Sequence, residues 1–201
     1  MQDAQFVRQI EQQYLQQQLA AMPTLPWLWL APAEGWGGEG AAAARGIRLQ
    51  REGDSARYRG DLRCGLPLPL PAESINAIVL QHIGGSYTEA LLAECARVLM
   101  PGGRLWLSLF NPCSPYRLHW QWHRGDAPSM SQCRAQLQRH GLHCTPVRYL
   151  GPLWSAGQGR PWPAPHVLRA VCVLEASKRS AAMIGPAAVA RPRRLPQPLT
   201  T

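Results

Sequence analysis

Near neutral pH, histidines and carboxylates carry most of the proton chemistry a protein can offer. This chain of 201 residues holds six histidines and twelve acids, so the candidates are few. His82 stands at the carboxyl edge of an apolar run, Ile75 to Ile83, where it is placed to act as a general base. His119 and His123, flanked by Trp120 and Trp122, are four residues apart and would share one helix face. No acid or third ligand stands near them, so no metal is expected there. Glu52 and Asp61 each follow a short strand pattern, and ligands of open α/β sheets bind at strand carboxyl ends. The six cysteines (Cys64, Cys95, Cys113, Cys133, Cys144 and Cys172) are scattered without a C-x-x-C pair. They read as reduced thiols in strands and helices.

The elements that would position these groups are legible from apolar periodicity. Gln2 to Ala21 carries Phe6, Val7, Ile10, Tyr14, Leu15 and Leu19 on one helical face, and Pro23 and Pro26 end it. Trp27 to Leu30 reads as a first strand, followed by a loop rich in glycine. A short helix over Ala41 to Arg45 comes next, then strands at Ile47 to Arg51 and Ala56 to Arg59. Leu66 to Pro71, reading LPLPLP, is extended because proline excludes helix there. A fourth strand (Ile75 to Gln81), a helix (Tyr87 to Leu99), a turn on Pro101-Gly102-Gly103 and a fifth strand (Leu105 to Phe110) form a βαβ unit. Such a unit implies a right-handed crossover and parallel strands. After an irregular insert, Asn111 to Pro128, a helix spans Ser129 to His140, with Ser129 or Ser131 as its cap. Strands over Leu142 to Leu150 and Val167 to Leu174 close the sheet, the two being antiparallel neighbours.

The segment Arg97 to Pro112, RVLMPGGRLWLSLFNP, resembles the helix, R-V-L-x-P-G-G turn and central strand of class I S-adenosylmethionine-dependent methyltransferases. The order of elements from Trp27 to Ala176 is similar to that family, and in particular to its methyltransferase type 11 group. The resemblance implies an α/β, Rossmann-like, mostly parallel doubly wound sheet of about six to seven short strands with an antiparallel edge. It divides the chain into an N-terminal amphipathic helix (1–22), a methyltransferase-like domain (23–176) and a basic tail (177–201). S-adenosylmethionine is the implied cofactor, with a methyl acceptor that the sequence does not identify. The implied cofactor residues are Ala31, Ala33, Gly35, Glu52, Asp61 and His82, with His82 also the candidate catalytic base. Glu52, about 17 residues past Gly35, stands where the family places the acid that accepts both ribose hydroxyls. Asn111-Pro112 is similar to part of the N-P-P-Y signature of base methylation but follows strand five, so it reads as a turn.

Two departures bear on function. The family's G-x-G-x-G loop reads Ala31-Pro32-Ala33-Glu34-Gly35 here, which retains only the third glycine and loses a backbone donor at Pro32. Between Glu52 and Ala56 there is no room for the helix that joins strands two and three in the family, and the N-terminal helix is the candidate to cover that face through Phe6, Ile10 and Leu19. A non-catalytic relative serving as a binding or scaffold protein is therefore the alternative. The formal charge is +9, and Lys178, Arg179, Arg191, Arg193 and Arg194 follow Glu175 with no acid among them. Such a tail can attract nucleic acid or stay solvated, and its Pro, Ala and Arg composition predicts disorder from Ser177. No apolar run reaches the ~18 residues that span a bilayer, and a cytoplasmic location is expected.

Overall fold

The computed structural model describes residues 2–32, 36, 45–53, 55–115, 127–152 and 166–179. Among the described residues eight strands make one sheet: β1 (Trp27–Ala31), β2 (Gly46–Arg51), β3 (Tyr58–Gly60), β4 (Ile75–Gln81), β5 (Leu99–Phe110), β6 (Leu142–Cys144), β7 (Arg148–Leu150) and β8 (Val171–Lys178). Their order is β3-β2-β1-β4-β5-β8-β6, with β7 also paired to β8. The central four strands, β2, β1, β4 and β5, are parallel. Both margins are antiparallel: β3 against β2, and β8 against β5, β6 and β7. This is the expected mixed sheet, with one strand more than anticipated because Leu142 to Leu150 is broken at Pro146 into β6 and β7.

Side chains alternate across the sheet, and the two faces are covered differently. Leu28, Leu30, Ile78, Leu80, Leu105 and Leu107 face α2 (Thr88–Val98) and α3 (Met130–Arg139), which bury Leu91, Leu92, Cys95, Cys133 and Leu137 against them. Ser129 caps α3 through a reciprocal capping box with Gln132. On the opposite face Trp27, Trp29, Ala77, Val79 and Trp106 pack with Val7, Leu15 and Leu19 of α1 (Gln2–Ala20). The buried stripe of α1 is Val7, Glu11, Leu15 and Leu19, one residue every four, whereas Phe6 is 40% exposed. Phe6 therefore does not cover the sheet, and a carboxylate sits in the middle of the stripe that does.

The RVLMPGG segment has a structural cause at each end. Arg97 donates to the carbonyls of Leu70 (3.0 Å) and Leu68 (3.1 Å) and pairs with Glu94, whose carboxylate accepts the Leu68 N–H. These bonds fasten the extended LPLPLP segment to α2. Pro101 to Gly103 lie inside β5 rather than before it: Leu99 already pairs with Ile75, and a bulge intervenes before Arg104 pairs with Ala77. A Cβ on Gly103 would fall 2.8 Å from the Asn76 carbonyl oxygen and 2.9 Å from that of Met100. Gly103→Ala should cost about 1–3 kcal/mol by overpacking against backbone, measured as a lower urea midpoint with an unchanged slope.

The last strand begins and ends later than the sequence indicates. Val167 belongs to a single 3-10 turn (His166–Leu168), and β8 runs through Ser177 and Lys178. Composition predicts disorder from Ser177, but Ser177 and Lys178 are part of the strand. Lys178 donates to the carbonyls of Ala96 (3.1 Å) and Leu99 (2.9 Å) and meets Glu73 at 3.1 Å. A cation on the final carbonyls of α2 favours order in this segment. The tail from 180 on, residues 41–44 of the helix expected over Ala41 to Arg45, and residues 116–126 of the insert Asn111 to Pro128 lie outside the described residues.

Candidate functional site

The carboxyl ends of β1, β2 and β4 lie side by side, since β1 pairs with both of the others. His82 directly follows β4 and adopts a left-handed backbone, φ 46°. That angle costs a β-carbon on the order of 1 kcal/mol. It also reverses the strand's alternation, turning the imidazole onto the face that already holds Gln81. There the ring stacks on Phe110 with centroids 3.6 Å apart and meets Trp36 edge-on at 4.8 Å. The side chain is 1% exposed.

Glu11 of α1, wholly buried, reaches down to the same point. Its Oε2 lies 2.9 Å from Nε2 of His82. Its Oε1 accepts from Ser108 Oγ (2.5 Å) and Gln81 Nε2 (3.1 Å), and Gln81 in turn accepts from the Trp29 indole N–H at 2.7 Å. A carboxylate accepts only, so the His82 proton facing Glu11 resides on Nε2. Burial opposes the charge on Glu11, but the charge of His82 and the hydrogen bonds from His82, Ser108 and Gln81 outweigh it and hold the carboxyl below its usual range. A depressed folded value stabilises the fold fully above the ordinary glutamate value of 4.5 and is lost as pH falls through the lower value. Acid titration should accordingly show a stability loss below pH 4.5 that Glu11→Gln lacks, followed by urea unfolding at stepped pH.

The sequence-predicted residues are dispersed around this core. Ala31 ends β1, is 4% exposed and packs in the α1-facing cluster. Ala33 and Gly35 lie outside the described residues. Glu52 follows β2 at the carboxyl edge, where Arg63 approaches its carboxylate at 3.3 Å with side-chain exposures of 83% for Arg63 and 24% for Glu52. Asp61 is not brought to that edge. Because β3 runs antiparallel to β2, Asp61 follows it toward the amino end of β2, where its carboxylate accepts the Arg48 N–H at 2.8 Å. The short connection leaves no helix between these strands, and the Glu52 N–H bonds the Arg57 carbonyl instead.

Ala31, Pro32 and His82 line one crevice with Leu30, Arg51 and Tyr87. Arg51, the last residue of β2, crosses it to donate to the Gly84 carbonyl (3.0 Å) and the Tyr87 hydroxyl (2.9 Å). The room left among these residues is about 10 Å³, enough for one water, whereas ligand sites typically span about 300–1,000 Å³. A wider groove of about 530 Å³ lies between α2 and α3, lined by Ser86, Thr88, Glu89, Ser131, Gln132 and Arg139. The buried thiols offer no nucleophile: burial raises Cys133 to about 11 and Cys172 to about 12. Sequence reasoning missed Glu11 and Arg51. The signal for Glu11 was an acid in register with Val7, Leu15 and Leu19.

A parallel core with antiparallel margins defines an open α/β sheet. No protein family and no curated protein matches the sequence. Solved structures do match the fold. A methyltransferase of Archaeoglobus fulgidus dependent on S-adenosylmethionine superposes with a TM-score of 0.53 at 10% identity, over 85% of this chain and 94% of that one. Another from Mesorhizobium loti gives 0.52 at 13% identity, over 82% and 95%. Phosphoethanolamine N-methyltransferase 2 of Haemonchus contortus, in complex with S-adenosyl-L-methionine, gives 0.52 at 10% identity, over 85% of this chain and 52% of that one. The chain has the fold of the class I S-adenosylmethionine-dependent methyltransferases.

Proposed function

We propose that this protein binds S-adenosylmethionine and transfers its methyl group to an acceptor. The observation that supports this most is the convergence of Ala31, Glu52 and His82 at the carboxyl ends of β1, β2 and β4, in a fold shared with such enzymes. Fit to the cofactor divides into two parts. The residue types suit it: Glu52 would accept the ribose hydroxyls, and its weak, exposed contact with Arg63 is readily exchanged. The volume suits it only once Arg51 withdraws from Gly84 and Tyr87. When bound, the cofactor supplies an electrophilic methyl on a sulfonium, and the protein's part is alignment and a dry site.

Isothermal titration with S-adenosylmethionine and S-adenosylhomocysteine tests the reading. Saturable heat with both ligands supports it, and no heat at millimolar ligand on folded protein rejects it. A second reading, a non-catalytic binding or scaffold protein, is favoured by the Arg51 bridge together with Ala31, Pro32 and Ala33 in the glycine positions. Under that reading Ala31→Gly and Ala33→Gly leave cellular function unchanged. We place the protein in the cytoplasm; among the described residues no helix is long and apolar enough to cross a membrane. The arginine-rich segment after Lys178 would add contact with nucleic acid, read as an affinity that falls with salt.

A further inference from the structure

We propose that the β2–β3 ribbon is a basic surface that binds the phosphate backbone of a nucleic-acid duplex. It uses the margin of the sheet rather than the crevice, and holds whether or not methyl transfer occurs. Residues 45–63, which span the ribbon, carry six arginines against three acids. Arg51 turns to the α2 face, toward Gly84 and Tyr87. Side chains alternate along a strand, and Gln50 pairs with Arg59 while Arg51 pairs with Tyr58. Arg48 of β2 and Arg57 and Arg59 beside Tyr58 therefore share the opposite face. The Tyr58–Cys64 bridge brings Arg63 alongside Arg59. Arg57, Arg59 and Arg63 are exposed, and Arg48 is half-buried over the Trp27 ring at 5.5 Å.

The short connection is what opens this surface. With the Glu52 N–H bonded straight to the Arg57 carbonyl, no helix joins the two strands. Among the described residues, none of β2 or β3 belongs to the apolar cluster that α1 covers. A charge at the edge strand alone would serve to discourage pairing with another chain, but here the arginines extend inward to Arg48. The partner follows from what the ribbon lacks. Large exposed hydrophobic side chains among the described residues are Phe6, Leu25 and Val167, none of them on the ribbon. It therefore has no apolar centre of the kind protein interfaces use, whereas interfaces with nucleic acid are polar and positive. The nearby aromatic residues, Trp27 and Tyr58, are 5% and 2% exposed and offer no platform for stacking unpaired bases. Duplex phosphates remain, and guanidinium forks match them. Arg57 and Arg59 stand roughly 7 Å apart along the strand, close to the step between neighbouring phosphates.

Fluorescence anisotropy of a labelled DNA duplex of about 20 base pairs, titrated with the full chain over a salt series, tests this without any cofactor. The logarithm of affinity should fall linearly with the logarithm of salt. The slope should become shallower by about two in Arg57→Ala/Arg59→Ala and by about one in Arg63→Ala. Arg63 lies outside the strands, so its variant decides the matter even if the double variant does not fold. Arg57→Lys/Arg59→Lys should keep the wild-type slope. No binding at low salt overturns the proposal, as do wild-type slopes in the alanine variants. A slope reduced only by Arg191→Ala/Arg193→Ala/Arg194→Ala would assign the contact to the tail and overturn it too. Polyglutamate that displaces the duplex at equal charge would identify an acidic protein as the partner, and tighter binding of either single strand would exclude the duplex; both contradict the proposal.

Discussion

Glu11→Ala should lower the unfolding free energy by about 3–5 kcal/mol, because it removes the shared acceptor of a buried hydrogen-bond cluster. Three donors that now converge on the carboxylate, from Gln81, His82 and Ser108, would be left without an acceptor in an apolar layer. Each such loss costs about 1–3 kcal/mol, and a cavity adds to it. The damage should centre on the α1 face, so amide exchange should accelerate first in α1 and at the ends of β4 and β5. Urea denaturation gives the total. A loss below about 1 kcal/mol would mean that the pair contributes little net stability, as exposed pairs do. Replacing all four polar residues by apolar ones should recover much of the loss, because well-packed apolar groups often match or exceed a buried pair.

Arg51→Ala should tighten S-adenosylhomocysteine binding roughly tenfold, equivalent to ~1.4 kcal/mol. In the structure the guanidinium bridges the end of β2 to Gly84 and Tyr87 across the carboxyl end of β1, over the space a cofactor would enter. A ligand must break those two hydrogen bonds first, which reduces its apparent affinity by the fraction of molecules already open. Truncation removes that competition. Tyr87→Phe should give a smaller gain, since only one of the two acceptors is lost. Weaker binding by Arg51→Ala would show instead that the guanidinium contacts the ligand.

How much of this was legible in the sequence depends on the distance over which each feature is determined. The βαβ unit from Ile75 to Phe110 and the capped helix after Ser129 are local patterns, and the structure has them where periodicity and capping put them. The missing helix after Glu52 was evident from chain length alone, but its consequence was not. A short connection forces β3 to run antiparallel, and that carries Asp61 away from the edge where Glu52 lies. Phe6 and Ile10 looked like core because a helical face is about 100° wide. Tertiary packing selected the narrower row through Val7, Glu11, Leu15 and Leu19. His82 was found as a candidate by its position at a strand end. Its partner lies 71 residues earlier, a pairing that spacing within either segment does not encode. Ser177 and Lys178 were misread for the same reason: Lys178 is ordered by carbonyls of a helix 79 and 82 residues away.

The most direct test is a titration of ¹⁵N-labelled protein with S-adenosylhomocysteine, followed amide by amide. Binding at the converged strand ends predicts saturable shifts at Ala31, Arg51, Glu52 and Gln81 to Gly84, stronger at equal ligand in Arg51→Ala. Shifts confined to the α2–α3 groove around Thr88 and Gln132, or none in either protein, would contradict it.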